Sequence, residues 1–116
     1  MSIIVFGIKN CDTVKKALQW LKEHKVDFQF EDLKAIQLPG STIEHWVNEV
    51  GVDTLINKRG TTWRKLPEDD KGELTLPRTV HLIQAHPTLL KRPVVVASGT
   101  VTVGFDEAVW QERFGV

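Results

Sequence analysis

The chain has a single cysteine, Cys11, among its 116 residues. An internal disulfide and a metal site built from several cysteines are therefore both excluded. A lone thiol stays reduced in the cytosol, so the cysteine count favours a cytoplasmic location.

A net charge is also missing, because fifteen Lys and Arg residues balance fifteen Asp and Glu residues. No basic field is available to attract nucleic acid or anionic lipid, so neither is expected as a partner. No apolar run approaches the roughly 18 residues of a transmembrane helix. The first residues, MSIIVFGIKNCD, have no basic region before a short apolar run, so we expect no signal peptide.

Composition is otherwise that of a globular protein, with 41% hydrophobic and 26% charged residues. The length fits one domain, residues 1–116, with a core large enough to need neither disulfides nor metals.

The first third of the chain predicts a β-α-β unit. Ile3–Phe6 is a continuous apolar run ended by Gly7, which is typical of a strand buried on both faces. Apolar residues at helical spacing predict an amphipathic helix over 12–24. Alternation of apolar and polar residues from Val26 to Glu31 then predicts a half-buried strand.

The middle of the chain is predicted to be helical and separate from the sheet. Ser41 and Glu44 form a capping-box pattern for a helix that stops at Gly51. Residues 57–77 are rich in charge, glycine and proline and predict exposed, irregular structure. A further helix is expected over 77–85.

The last quarter predicts a β-β-α unit. Residues 93–97 and 100–103 form a β-hairpin across the two-residue turn Ser98-Gly99. Asp106 is placed to cap a final helix. We therefore predict an α/β fold with residues 1–34 and 91–116 as its core and 35–90 as a helical insertion.

Cys11 follows a predicted buried strand and begins a predicted helix. Free backbone N–H groups and the helix dipole stabilise a thiolate at that position, and Lys9 and Lys15 add positive charge that Asp12 opposes. A small buried core residue is the alternative for a lone cysteine. The strand–loop–Cys–helix order favours the nucleophile.

Arginine is scarce, with five in the chain, and two of the five lie in loop-like segments: Arg59 before Gly60 and Arg92 before Pro93. A guanidinium binds carboxylates and oxyanions with two parallel hydrogen bonds, so these side chains would suit an anionic substrate. The histidines share no metal-ligand spacing, and no metal site is expected.

Three segments, 7–17 (GIKNCDTVKKA), 61–66 (TTWRKL) and 91–95 (KRPVV), resemble the arsenate reductase (ArsC)/Spx family, and most closely its YffB-like branch. The resemblance covers essentially the whole chain. It implies a thioredoxin-like fold with a mixed sheet and a helical insertion, which agrees with the element order given above.

The same resemblance implies functional residues. Cys11 would be the nucleophile, Arg59 and Arg92 would bind the oxyanion, and Lys9 and Asn10 would contact substrate. Pro93 would be the proline that follows a cis peptide bond beside the active cysteine. A third arginine of arsenate reductases is absent, since Val103-Gly104-Phe105 occupies that stretch, and its loss speaks against arsenate specificity.

The expected function is that of a thiol–disulfide or oxyanion reductase that uses an external thiol, with glutathione as the co-substrate and no bound cofactor. Val14 stands where regulators of the Spx type often have a second cysteine, so an internal disulfide switch is excluded. The alternatives are an Spx-like regulator that binds RNA polymerase and a true arsenate reductase.

Overall fold

A computed structural model describes residues 2–116. Within them, four strands form one sheet: β1 (Ile3–Gly7), β2 (Gln29–Asp32), β3 (Val94–Ala97) and β4 (Thr100–Val103). The α-helices are α1 (Asp12–Glu23), α2 (Gly40–Val50), α3 (Val52–Leu55), α4 (Thr61–Lys65), α5 (Leu76–Ala85) and α6 (Glu107–Phe114). Short 3-10 turns occupy Glu68–Lys71 and Pro87–Leu89. None of the helices in residues 2–116 has the length and apolar character needed to cross a membrane.

The sheet is mixed, with the strand order β2-β1-β3-β4. β1 pairs in parallel with β2 and antiparallel with β3, and β3 pairs antiparallel with β4. The parallel pair is joined through α1, as a parallel connection requires. The predicted α/β class with β-α-β and β-β-α halves is confirmed.

The chain forms two compact units. One contains the residues up to Asp32 together with Arg92–Val116, and the other is Leu33–Lys91. The first unit carries the whole sheet with α1 and α6, and the second carries α2 to α5.

The core of the first unit lies between one face of the sheet and the two helices α1 and α6. Its buried members are Ile3, Val5, Ala17, Trp20, Leu21, Val95, Ala97 and Trp110. Trp20 and Trp110 meet edge to face with ring centroids 5.7 Å apart, a favoured aromatic geometry. These contacts fix α1 against the sheet, and with it the residue at the helix start.

β1 is not buried equally on its two faces, which corrects the expectation from its apolar run. Ile3, Val5 and Gly7 are buried, whereas Ile4 and Phe6 are half-buried. The alternation follows the pleat, because only the first set faces the core formed with α1 and α6.

β2 begins at Gln29, so the strand predicted from Val26 onward is wrong at its start. Lys25 has a left-handed backbone, with φ of 56°, and Val26 donates a hydrogen bond to the carbonyl of Leu21. The chain is still closing the end of α1 at Val26. Val26 and Phe28 nevertheless pack against the core, which explains their apolar pattern.

Two predictions about the second unit are wrong. The capping box fails because α2 begins at Gly40 with Pro39 as its N-cap, and no side chain from residues 2–116 caps it. The segment 57–77 is not irregular throughout, since it contains α4 and a 3-10 turn. Leu66 of this segment packs with Leu82 and Leu89, and this burial orders the segment despite its charge.

Candidate active site

Cys11 is the N-cap residue of α1, as its sequence context predicts. Its backbone is extended, with φ of −101° and ψ of 122°. Its N–H donates to the carbonyl of Ile8 at 3.3 Å, and its own carbonyl accepts from the N–H of Lys15 at 2.9 Å. The residue is partly exposed. The enclosed core position that was the alternative for a lone cysteine is therefore wrong.

The first turn of α1 offers its N–H groups to an anion. Within residues 2–116, no side chain accepts a hydrogen bond at this helix start. The unclaimed donors and the positive end of the helix dipole favour negative charge, whether on a thiolate or on a bound substrate. Lys9 and Lys15 are exposed on either side of Cys11, and exposed Asp12 in the first turn opposes them.

Gly7 sets how closely α1 approaches the sheet. A Cβ at this position would lie 2.9 Å from Cγ2 and 3.0 Å from Cγ1 of Val14, closer than side chains tolerate. Val14 is completely buried three residues after Cys11. Because Gly7 has no side chain, the first turn of α1 can pack directly against β1.

The Arg92–Pro93 peptide bond is cis, as predicted. Pro93 is buried and directly precedes Val94, which pairs with Phe6 near the end of β1. The loop that leads from β1 to Cys11 starts at this same end of the sheet. Arg92 is half-buried beside the proline. Pro93, just before β3, and Cys11, which follows β1, therefore lie at the same end of the sheet on two neighbouring strands.

The carbonyl of Pro93 is held by β4. It accepts a hydrogen bond from the N–H of Gly104 at 2.9 Å, which extends the β3–β4 ladder by one pair. Gly104 has φ of 81°, a backbone region that favours glycine, and a Cβ there would meet open space. The chain turns after this residue toward Asp106, whose carboxylate accepts from the N–H of Val109 at 3.2 Å and caps α6.

Arg59 belongs to the second unit, in the loop before α4. Its side chain is exposed, its N–H donates to the Asn57 side-chain oxygen at 3.2 Å, and its carbonyl accepts from Arg64 at 3.1 Å. These two bonds fix the backbone of the loop and leave the guanidinium on the surface. A role for Arg59 at the Cys11 site stays a prediction.

Lys9, Asn10, Cys11, Arg92 and Pro93 all lie in the first unit, at one end of its sheet. Sequence reasoning missed Gly7 and Gly104 as parts of this end. Both glycines are visible in the sequence as the ends of apolar runs, because Gly7 is the last residue of β1 and Gly104 directly follows β4. Within residues 2–116, no group of three His, Cys, Asp or Glu side chains is placed to hold a metal ion.

Known proteins with similar sequences cover almost the whole chain. An uncharacterized protein of Haemophilus influenzae is 40% identical over 112 residues, which is 97% of this chain and 98% of that protein. The global transcriptional regulator Spx of Streptococcus pneumoniae is 30% identical over 107 residues, which is 90% of this chain and 80% of the regulator.

Solved structures show the same fold. The YFFB protein superposes with a TM-score of 0.91 at 40% identity, covering 95% of this chain and 96% of its own. An arsenate reductase from Vibrio cholerae gives a TM-score of 0.79 at 15% identity, covering 100% of this chain and 98% of its own, so it supports the fold alone. The mixed four-stranded sheet with its helices is the α/β fold expected from the sequence. Residues 6–113 match the family model of the ArsC family, and the chain belongs to that family.

Proposed function

We propose that this protein is a single-cysteine thiol–disulfide reductase whose nucleophile is Cys11 and whose electrons come from glutathione. The observation that carries the proposal is the position of Cys11, which is partly exposed at an N-terminal helix end with unclaimed N–H donors. The side chain there is accessible to a substrate, and the positive end of the helix dipole attracts the negative charge that develops during thiol–disulfide exchange. Structural neighbours with arsenate reductase names support a reductase of this family.

The first step is attack by the Cys11 thiolate on a substrate disulfide. A bond forms between the Cys11 sulfur and one substrate sulfur, the substrate S–S bond breaks, and the other substrate sulfur leaves as a thiolate that takes a proton from water. The departing and arriving sulfurs both carry negative charge as the bonds change. We assign the stabilisation of that charge to Lys9 and the first-turn N–H groups of α1.

The second step needs a thiol from outside the chain. Cys11 is the sole cysteine, so no second thiol of this protein can attack the mixed disulfide. A glutathione thiolate attacks instead, which restores the Cys11 thiolate and leaves the substrate fragment joined to glutathione. The net exchange converts one disulfide and one glutathione thiol into a mixed disulfide and one substrate thiol.

Glutathione also fits the charges near the site. It carries two carboxylates, and a guanidinium binds a carboxylate with two hydrogen bonds. Arg92 directly precedes Pro93 at the Cys11 end of the sheet, and we assign it to one carboxylate. Arg59 is proposed for the other, while Asn10 and Pro93 are proposed to contact the substrate backbone.

The test measures the reduction of a small mixed disulfide by glutathione. The reaction is monitored in a coupled assay through the loss of NADPH absorbance. Wild-type protein should turn over and Cys11→Ser should not. Intact-mass spectrometry should show one adduct of about 305 Da after exposure to oxidised glutathione. A wild-type protein that forms no adduct would refute glutathione as the thiol.

A regulator is the second candidate, and the 30% identity to the regulator Spx favours it. In that case the protein would bind RNA polymerase, and its thiol would not be needed for binding. Capture of purified RNA polymerase on immobilised protein distinguishes the two. Binding that survives Cys11→Ser, together with no turnover in the wild type, would favour the regulator.

A further inference from the structure

The two edges of the sheet are not protected alike. β2, at one edge, has the sequence Gln-Phe-Glu-Asp and ends in two carboxylates. β4, at the other edge, reads Thr-Val-Thr-Val, with neither charge nor proline. Charged residues, prolines and bulges are the devices that keep exposed strand edges from pairing with another chain. β4 has none of them.

The backbone groups that β4 leaves unpaired can be read from its register. Pro93 and Gly104 form a hydrogen-bonded pair, so the next pair, Val94 with Val103, is a non-hydrogen-bonded one. The N–H and C=O of Val103 therefore point away from β3, and so do those of Val101, two residues earlier. Within residues 2–116, no hydrogen bond other than those of the sheet is formed by these groups.

A groove lies beside this edge, between the β3–β4 hairpin and α6. It has a volume of about 470 Å³ and is lined by Ala97, Ser98, Thr100, Val109, Glu112 and Arg113. Val109, on α6, leaves 50% of its surface exposed beside this groove. The groove therefore combines an uncovered apolar side chain with both signs of charge.

Arg113 is held in this groove without an acid partner. Its guanidinium donates to the Thr102 hydroxyl at 2.5 Å and to the Thr100 carbonyl at 2.7 Å. No carboxylate of residues 2–116 forms a salt bridge with it. Partial burial lowers the pKa of Arg113, because the charged form loses hydration that no anion replaces.

We propose that β4 pairs antiparallel with β4 of a second copy of this chain, so that two sheets join into one across a two-fold axis at Thr102. Val101 of each copy then forms a hydrogen-bonded pair with Val103 of the other, which uses all four outward groups. The two Thr102 residues face each other, a favourable cross-strand pair.

A second copy is the occupant because the surface is self-complementary. The free groups of Val101 and Val103 are symmetric about Thr102, and a two-fold axis normal to the sheet keeps both α6 helices on the same side of it. The α6 face then offers Glu112 to Arg113 of the other copy and Val109 to its counterpart. The contact uses the outer edge of β4 and none of the residues assigned to the Cys11 site, so it does not depend on the proposed function.

Sedimentation equilibrium of the full chain tests the proposal. We expect the apparent mass to rise from the monomer value of 13.2 kDa toward twice that value with increasing concentration. Because only one short strand and one helix face of each copy take part, we expect a weak dimer with a Kd of about 10–100 μM. A wild-type protein that stays monomeric at about 1 mM, well above that range, overturns the proposal.

Paired variants locate the contact. Val103→Pro removes an outward N–H and keeps the ladder to β3, and Val109→Lys places a charge on the exposed apolar position. Each should raise the Kd by at least about 10-fold. Val103→Thr and Gln111→Lys are their controls, since the first keeps the N–H and the second adds the same charge on another side of α6. A dimer that both test variants leave intact uses a different surface.

Hydrogen exchange gives a readout that needs no variant. The amides of Val101 and Val103 should become protected as the concentration of wild-type protein rises, while Cys11→Ser behaves as wild type. Exchange of these two amides that is fast at every concentration contradicts the pairing even if a dimer forms.

Discussion

Replacing Gly7 by alanine should move the start of α1 and thereby alter the reactivity of Cys11. The added Cβ would lie 2.9 and 3.0 Å from the two γ carbons of Val14 and 3.5 Å from a ring carbon of Phe30. Val14 is fully buried and β-branched, so it cannot rotate both methyl groups away. The helix itself must therefore shift.

The magnitude follows from two opposing terms. Overpacking of this kind destabilises by about 1–3 kcal/mol. Alanine also restricts the unfolded chain, which stabilises by about 0.4–1 kcal/mol. Gly7→Ala should therefore lower the free energy of unfolding by about 1–2 kcal/mol. Urea unfolding followed by tryptophan fluorescence measures the change.

A double-mutant cycle separates the clash from other causes. Val14→Ala removes both γ carbons and by itself should lower the free energy of unfolding by about 2 kcal/mol. In the double variant the new Cβ has room, so the loss should be smaller than the sum of the two single losses by about 1 kcal/mol or more. The rate of Cys11 alkylation should fall in Gly7→Ala and recover in the double variant. Effects that add within about 0.3 kcal/mol would refute the close approach of β1 and α1 as the reason for glycine.

Three further predictions concern the same end of the sheet. Cys11→Ser should abolish the glutathione adduct in mass spectrometry, while the free energy of unfolding stays constant or rises by up to about 1 kcal/mol, because serine is a favoured N-cap. Arg92→Ala should raise the KM for a glutathione mixed disulfide by about 10- to 160-fold, which corresponds to a loss of about 1.5–3 kcal/mol, and Arg92→Lys should lie in between. An unchanged KM would remove Arg92 from the site. Asp106→Ala should lower the free energy of unfolding by about 1 kcal/mol in urea titration, because the N–H of Val109 loses its capping acceptor, and Asp106→Asn should stay near wild type.

The parts of the fold that the sequence predicted correctly are those that local chemistry determines. Ser98 and Gly99 both have positive φ, 50° and 78°, which is the turn that a two-residue hairpin demands. Asp106 caps α6 through its own side chain, and the apolar spacing of α1 matches its buried face. Each of these features is set within a few residues of the chain.

The errors arose where contacts distant in sequence decide the structure. α2 starts at Gly40 rather than at the capping-box serine. Gln84 of α5 donates a hydrogen bond to the carbonyl of Leu38 at 3.0 Å, just before α2 begins. This contact holds the chain at the start of the helix, and no local pattern encodes it. The same holds for α4, whose short length gives no helical period to detect.

The candidate site combines both kinds of information. Cys11 was found from its neighbours in sequence, because a strand, a loop and a helix start follow one another within ten residues. Pro93 reaches the same end of the sheet only through the antiparallel pairing of β1 with β3, a contact about 90 residues away along the chain. The cysteine was therefore predictable from local chemistry, whereas its arrangement with Pro93 had to come from the family resemblance.

The proposed function assigns charge stabilisation to the start of α1 and substrate contact to the residues just before β3. A variant that changes one of these elements without the other should therefore separate the reactivity of Cys11 from substrate binding. Cys11 alkylation should respond to Gly7→Ala and not to Arg92→Ala, while KM should respond to Arg92→Ala. If Gly7→Ala and Arg92→Ala each changed both the Cys11 alkylation rate and the KM to the same degree, thiol reactivity and substrate binding would not depend on separate parts of the fold.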